Sequence, residues 1–222
     1  LDNADAMSIL FQGRKSAHGV FVIDKKEGNK VIGKAITLRE DVTIEKWYSH
    51  LAGIMGIGIV PINEENYCHW AAIDYDVYPT NYMELLIKIK DSPFVVCKSK
   101  SGGAHLYVFL DEPVPARDVR EYLMSTSAHL GLGNKEIFPK QDMVITARGD
   151  VGNWLNMPYF GDTRKCIILN NGKIEELNLD QFIEYATLNR VSLKKSQSRR
   201  RALITSNLSS KMDLPAYRHL AL

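Results

Sequence analysis

Apolar residues fall in short runs or helical periods along most of the chain, and polar or glycine-rich stretches separate them. Residues 17–23 and 31–38 read as two strands joined by the polar turn Asp24-Lys25-Lys26-Glu27-Gly28-Asn29-Lys30. Thr43 supplies an N-cap for a helix carrying Ile44, Trp47, Leu51 and Ile54 on one face, ended by Gly53 or Gly56. Two apolar strands follow, over residues 56–62 and 69–76. Pro79-Thr80 opens a helix through Lys90, with Met83, Leu86 and Ile87 at helical spacing. Residues 94–98 and 104–110 form a hairpin around the loop Ser99-Lys100-Ser101-Gly102-Gly103. A helix is predicted over 115–130, with Pro in its first turn. Short strands are predicted near 136–138, 144–147 and 166–169, the last running into the turn Asn170-Asn171-Gly172. A helix over 180–189 closes the compact part. The pattern predicts an α+β fold with a largely antiparallel or mixed sheet.

Composition adds bounds. With 222 residues, 45% hydrophobic and 24% charged, the chain has room for one large domain or two small modules sharing a core, and needs no disulfide or zinc staple. The most apolar stretch, residues 53–62, is about half of the roughly 20 residues that a transmembrane helix requires. No charged segment followed by an apolar core opens the sequence, so neither membrane residence nor secretion is expected. Cys68, Cys97 and Cys166 lie far apart with no C-x-x-C pair, which predicts buried free thiols in a reducing, cytoplasmic setting. The start at Leu1 is expected of a processed product or part of a longer protein. Leu10-Phe11-Gln12-Gly13 reads equally as a protease-tag remnant or as native sequence.

The net charge of +2 conceals a split. Residues 190–222 carry eight Lys or Arg against Asp213 alone, a net +7, while the preceding residues carry 20 basic and 25 acidic side chains, a net −5. The tail reads as a polyanion-binding segment or as a solvated linker.

The chemistry concentrates in two segments. In Trp70-Ala71-Ala72-Ile73-Asp74-Tyr75-Asp76, strand alternation turns Asp74 and Asp76 to one side, about 7 Å apart. Two like charges at the end of an apolar strand suit a divalent cation with hard oxygen ligands, Mg²⁺ or Mn²⁺, or else a strand end running into solvent. The second segment is Cys97-Lys98-Ser99-Lys100-Ser101-Gly102-Gly103-Ala104-His105. Its lysines, hydroxyls and glycine N–H groups are a composition suited to phosphate oxygens, although it matches neither a Walker A loop nor a Rossmann fingerprint.

Together, Asp74-x-Asp76 after an apolar strand, Gly103-x-His105 on a second strand and an acid on a third resemble the archaeo-eukaryotic primase superfamily. The resemblance extends over roughly residues 11–160. It takes in Trp47 through Asp76 (the helix, the apolar strand ending Pro61-Ile62, Cys68 and the acidic strand), Glu136-Ile137-Phe138-Pro139-Lys140-Gln141, Gly152-Asn153 and Met157-Pro158, and is similar to primase-polymerases of phages and mobile elements. It implies an RRM-like sheet beside an N-terminal α/β module, with residues 1–189 as the catalytic domain and 190–222 as a basic tail or linker. It also implies a two-metal nucleotidyl transfer from dNTPs or NTPs onto a primer end or first nucleotide, on a DNA template in a prokaryotic or phage-infected cell. Asp74 and Asp76 would hold metal, with Glu136 as the third carboxylate and Asp142 as its competitor. His105 would contact phosphates, lined by Ser99, Lys100, Ser101 and Gly103. Arg14, Lys98 and Arg148 are further candidate triphosphate contacts, or surface charges. No zinc cluster or helicase motif is present; a helicase domain or subunit is a candidate partner. Two other classes stay open: a metal-dependent nucleotide-sugar glycosyltransferase, and a non-catalytic nucleic-acid-binding module.

Overall fold

Trp70, Ala72 and the carboxylates beyond them lie on one side of a single strand, and the fold is built around that strand. The structure is a computed structural model and describes residues 1–27 and 30–193. In chain order its elements are α1 (Asn3–Leu10), β1 (His18–Glu27), β2 (Lys30–Leu38), α2 (Ile44–Leu51), β3 (Ile57–Ile59), β4 (Tyr67–Tyr75), α3 (Tyr82–Ile89), β5 (Val95–Lys98) and β6 (Ala104–Pro115). They continue with α4 (Ala116–His129), β7 (Glu136–Phe138), β8 (Leu155–Asn156), β9 (Cys166–Asn170), β10 (Lys173–Glu176) and α5 (Leu179–Leu188).

Two sheets result. The larger has the order β10-β9-β5-β6-β4-β7 and the smaller β2-β1-β3-β8; every ladder within them is antiparallel. The α+β class with an N-terminal module beside the main sheet is therefore as expected. Strand alternation divides the larger sheet's side chains. Val96, Leu106, Val108 and Ile73 are buried on the side where α4 packs against β4 and β6. Trp70, Ala72, Cys97, Tyr107 and Phe109 face the opposite core, which also holds Met7, Leu10, Trp47, Ile57, Ile59, Leu155 and Phe182.

Phe11 is the hub of that second core. Its ring meets Trp70, Tyr107 and Phe109 edge-on at 5.2–5.3 Å and stacks with Trp47 and Phe182 at 6.1 and 6.3 Å. The Leu10-Phe11 dipeptide is thus an integral part of the fold. Helix α1, absent from the sequence prediction, is capped by Asp2, which accepts the Asp5 N–H at 3.0 Å, and buries Ala4, Met7 and Leu10 on one face.

His50, on α2, is also buried. Its Nδ1 accepts the Ile57 N–H at 3.1 Å and its Nε2 donates to the Pro158 carbonyl at 2.8 Å, which joins α2 to the small sheet and to the loop before β9. Burial lowers its pKa to about 4, so the ring is neutral in that role.

The strand predicted over 144–147 is replaced by a 3₁₀ turn, Thr146–Arg148. The Val144 N–H is taken by Asn66 Oδ1 at 2.7 Å and the Arg148 N–H closes back on the Ile145 carbonyl at 2.9 Å, so the segment's donors are spent on a turn. All three cysteines are buried free thiols. Among the described residues no helix is long and apolar enough to cross a membrane. Leu1–Val191 forms one compact unit. Most of the basic tail, from Lys194 onward, lies outside the described residues.

Candidate active site

Register brings the three sequence motifs into one line. Asp74 on β4 is paired with His105 on β6 on one side and with Glu136 on β7 on the other. The same row continues through Cys97 on β5 to Cys166 on β9. Directly opposed residues in an antiparallel sheet point to the same face, so Asp74, His105 and Glu136 share the face that buries Trp70 and Ala72 further along β4. The core ends where this row begins, and Asp76, one pleat on, is exposed.

The row is crowded with negative charge. Burial is the largest influence on Asp74, followed by repulsion from Asp76 and Glu136; together they raise its pKa to about 6 against a smaller opposing pull from Lys140. Its Oδ1 lies 3.5 Å from His105 Nε2. That contact is not an ion pair at neutral pH, because burial, with help from the Arg164 charge, lowers the His105 pKa to about 4. The other ring nitrogen, Nδ1, is 3.0 Å from the Tyr107 hydroxyl, which in turn lies 3.3 Å from the Asn156 carbonyl on β8. The imidazole is thereby fixed between the carboxylate row and the small sheet.

Glu136 and Asp142, the two candidates for the third carboxylate, have different surroundings. Glu136 is opposite Asp74, with its side chain 63% exposed and paired to Lys140 at 2.8 Å. Asp142 pairs with Arg120 at 2.6 Å, and Arg120 also donates to the Pro139 carbonyl at 2.8 Å. Asp142 thus fastens the segment after β7 to α4, and the register places Glu136 in the row.

The glycine loop closes over the other end of the Asp74–Asp76 pair. The Ser99 N–H bonds the Gly103 carbonyl at 2.8 Å. From the start of α3, Tyr82 donates to the Gly102 and Gly103 carbonyls at 2.9 and 3.1 Å, and Thr80 donates to Gly102 at 2.8 Å. A Cβ at Gly103 would stand 2.6 Å from the Tyr75 carbonyl, 3.1 Å from Asp76 Oδ1 and 3.2 Å from Ser99 Oγ, so only glycine allows this approach. Tyr78 donates to Asp76 Oδ1 at 2.6 Å, which raises the Tyr78 pKa; Ser101 also bonds Tyr78. The Ser99 hydroxyl is buried with no partner of its own.

Cations gather on the His105 side. Lys100 extends from the loop to place its Nζ 3.1 Å from the centre of the Phe21 ring on β1. Arg164, which precedes β9, lies over the Phe160 ring at 5.0 Å and donates to the Met157 carbonyl at 3.2 Å. Its charge bears on His105, Lys100 and Tyr107. Arg164 was not among the residues that the sequence singled out, since Thr163-Arg164-Lys165 reads as an ordinary polar approach to a strand.

Three other candidates lie elsewhere. Lys98 alternates to the opposite face from Cys97, pairs with Glu176 and stands 5.5 Å from the Tyr82 ring centre. Arg14 is buried, donates to the Asn63 carbonyl at 3.2 Å and lines a cavity of about 580 Å³ with Phe11 and Trp47. Asn63 bonds Tyr67 at the start of β4, about 20 Å along the strand from Asp74 at roughly 3.3 Å per residue. Arg148 is exposed at the end of its 3₁₀ turn.

Among the described residues no three His, Cys, Asp or Glu side chains converge into a formed metal cage. Glu136 is held by Lys140 and Asp76 by Tyr78. The donor set nonetheless suits a hard divalent cation: three carboxylates flank one partly buried strand end, and their mutual repulsion is only partly offset.

Residues 13–195 match the archaeo-eukaryotic primase domain of TOTE conflict systems. The crystal structure of primase RepB′ is similar over 94% of this chain and 67% of its own, with 12% sequence identity and a TM-score of 0.37. None of the curated proteins matches the sequence.

Proposed function

The chain belongs to the archaeo-eukaryotic primase domain family of TOTE conflict systems, which supports a primase-like nucleotidyl transfer role, and on that premise we propose that it adds nucleotides to a primer end or first nucleotide on a DNA template. The observation that carries this reading is the single cross-strand row joining Glu136, Asp74 and His105. Domains of this family generally use divalent metals. Asp74, Asp76 and Glu136 would hold Mg²⁺ or Mn²⁺, which when bound supplies a Lewis acid for the phosphates and lowers the pKa of an attacking hydroxyl.

The protein's own groups divide the remaining work. Asp74 stays ionised above about pH 6 and keeps the acidic side of the cleft negative. His105 is neutral, and because Tyr107 donates to Asn156 the ring's proton sits on Nδ1, bonded to the Tyr107 hydroxyl, which leaves Nε2 an acceptor of fixed direction towards the row. Only on taking up a proton beside a bound triphosphate would Nε2 donate to a phosphate oxygen. Lys100 and Arg164 hold positive charge on the His105 side, where a triphosphate would lie with its anionic oxygens away from the carboxylates. The unpartnered Ser99 hydroxyl and the close-packed Gly103 complete that side. Glycosyl transfer from a nucleotide sugar has no specific support in this arrangement.

The test is product formation on primed and unprimed templates with dNTPs and NTPs, after EDTA treatment and with Mg²⁺ or Mn²⁺ restored. Metal-restored elongation supports the reading. Tight template binding with no product under any of these conditions supports a binding module instead.

A further inference from the structure

Gly19 on β1 and Gly58 on β3 are paired side by side, and the Trp154 indole lies flat on both. A Cβ built on Gly19 would fall 1.9 Å from a ring atom of Trp154, and one on Gly58 would fall 2.1 Å from another. No side chain other than hydrogen fits beneath the ring at either position. The indole is also fixed in direction, because its Nε1–H donates to Thr37 Oγ1 on β2 at 3.1 Å. One face of the ring is spent on backbone, yet the residue remains partly exposed.

We propose that this surface is a stacking platform for a single strand of nucleic acid, with Trp154 taking an unpaired base; the proposal rests on the nucleotidyl-transfer reading of the adjoining site and names where its template strand runs. Position supports it. Thr37, Gly19, Gly58 and Asn156 form one cross-strand row, and the Asn156 carbonyl is the group that accepts from Tyr107, the partner of His105. The platform therefore starts two hydrogen bonds from the catalytic row, through Tyr107. Phe21, two residues along β1 on the same face as Gly19, carries Lys100 over its ring, so the glycine loop borders the platform.

Charge fixes the chemistry of the occupant. Arg39, just past β2, donates to the Gly149 carbonyl at 2.6 Å. It lines a groove of about 410 Å³ together with Gln141, Gly152 and Asn153, immediately before Trp154. Exposed Arg148 adjoins Gly149. A rigid aromatic face between Arg39 and Arg148 on one side and Lys100 on the other matches the alternation of bases and phosphates in an unpaired strand. A base in a duplex has both faces stacked on its neighbours, so the ring selects single-stranded nucleic acid.

The tryptophans themselves provide the readout. Trp47 and Trp70 are 2% and 0% exposed, so a base can quench only Trp154. The full chain is titrated with unlabelled dT12 without metal or triphosphate, and affinity is read in parallel from the anisotropy of labelled dT12. A saturable, salt-sensitive quench is expected, lost in Trp154→Phe and retained in Asp74→Asn/Asp76→Asn. Trp154→Ala is expected to weaken binding about tenfold or more; the Phe variant keeps a ring on the two glycines and serves if the Ala variant fails to fold. Binding by anisotropy with unchanged fluorescence, and unaltered affinity in the Trp154 variants, would overturn the platform and leave nucleotidyl transfer standing. Quenching in a wild-type chain that makes no product would support the platform and overturn the transfer reading. No binding of dT12 at all would overturn the platform.

Discussion

Asp74 and His105 stand directly opposite each other on β4 and β6, with Oδ1 and Nε2 3.5 Å apart, and both titrate away from their ordinary values. The carboxyl pKa is raised to about 6 and the imidazole pKa is lowered to about 4. Near neutral pH the pair is therefore an anion beside a neutral ring. The negative charge is left for a cation from outside the protein to neutralise.

The Asp74 shift has a consequence for stability with a definite sign. An unfolded Asp titrates near 3.8 and the folded one at about 6, so between these values the folded state holds the extra proton. Its contribution to stability is fully present below about pH 4 and lost as pH rises through 6. Asp74→Asn should therefore raise the Tm of the metal-free protein at pH 8 by a few degrees, on a scale of about 2–4 °C per kcal/mol, and should give no gain at pH 4. Thermal melts at both pH values check this. Turnover at low metal should fall on the acid side of about pH 6, with a midpoint that moves lower as metal concentration rises.

Glu136→Gln and Asp142→Asn separate the two candidates for the third carboxylate. Glu136 lies in the row, so its variant should lose about 100-fold or more in turnover. Asp142 holds an exposed pair with Arg120, and its variant should keep activity and lose at most about 1 kcal/mol of stability. Steady-state extension and urea melts on the two variants give the answer.

Gly103→Ala tests the close approach of the glycine loop. The added methyl would meet the Tyr75 carbonyl at 2.6 Å and Asp76 Oδ1 at 3.1 Å. Activity should fall at least tenfold, with a stability loss of about 1–3 kcal/mol. Extension rate and Tm measured on one preparation check both parts.

His50→Leu tests the link between α2 and the small sheet. The variant leaves the Ile57 N–H and the Pro158 carbonyl buried without the ring that joins them, and should cost about 2–4 kcal/mol. In the wild type the folded ring titrates at about 4 against 6.5 unfolded. Its contribution is present above pH 6.5 and lost as pH falls towards 4. Urea denaturation of both proteins at pH 7.5 and 4.5 should show the difference shrinking on the acid side.

The carboxylate row was legible in the sequence because strand alternation is strict: an apolar run ending in Asp74-x-Asp76 has one face to offer. The pairing of Asp74 with His105 and Glu136 was legible only through the order of the family's motifs, since register depends on contacts between distant segments. Arg164 left no trace, because a cation before a strand looks the same whether it faces solvent or a cleft. Helix α1 is as long as α2 and α3, but its apolar residues do not keep to one face, Ile9 being exposed beside buried Met7 and Leu10, and Phe11 was hidden by its place in a tag-like tetrapeptide. Strand β10 is exposed throughout and polar except for Ile174, an edge with no burial pattern to read, yet the turn before it was visible in Asn171 and Gly172, both of which adopt positive φ. Val144-Ile145-Thr146 misled in the other direction, for β-branched residues signal a strand only where a partner edge is available.

The account is tested most directly by incorporation of a labelled nucleotide on a primed DNA template, with wild type and Asp74→Asn/Asp76→Asn side by side and circular dichroism showing both folded. The carboxylate row predicts metal-dependent incorporation by the wild type and a loss of about 1,000-fold or more in the double variant. Equal incorporation by the two proteins would contradict it.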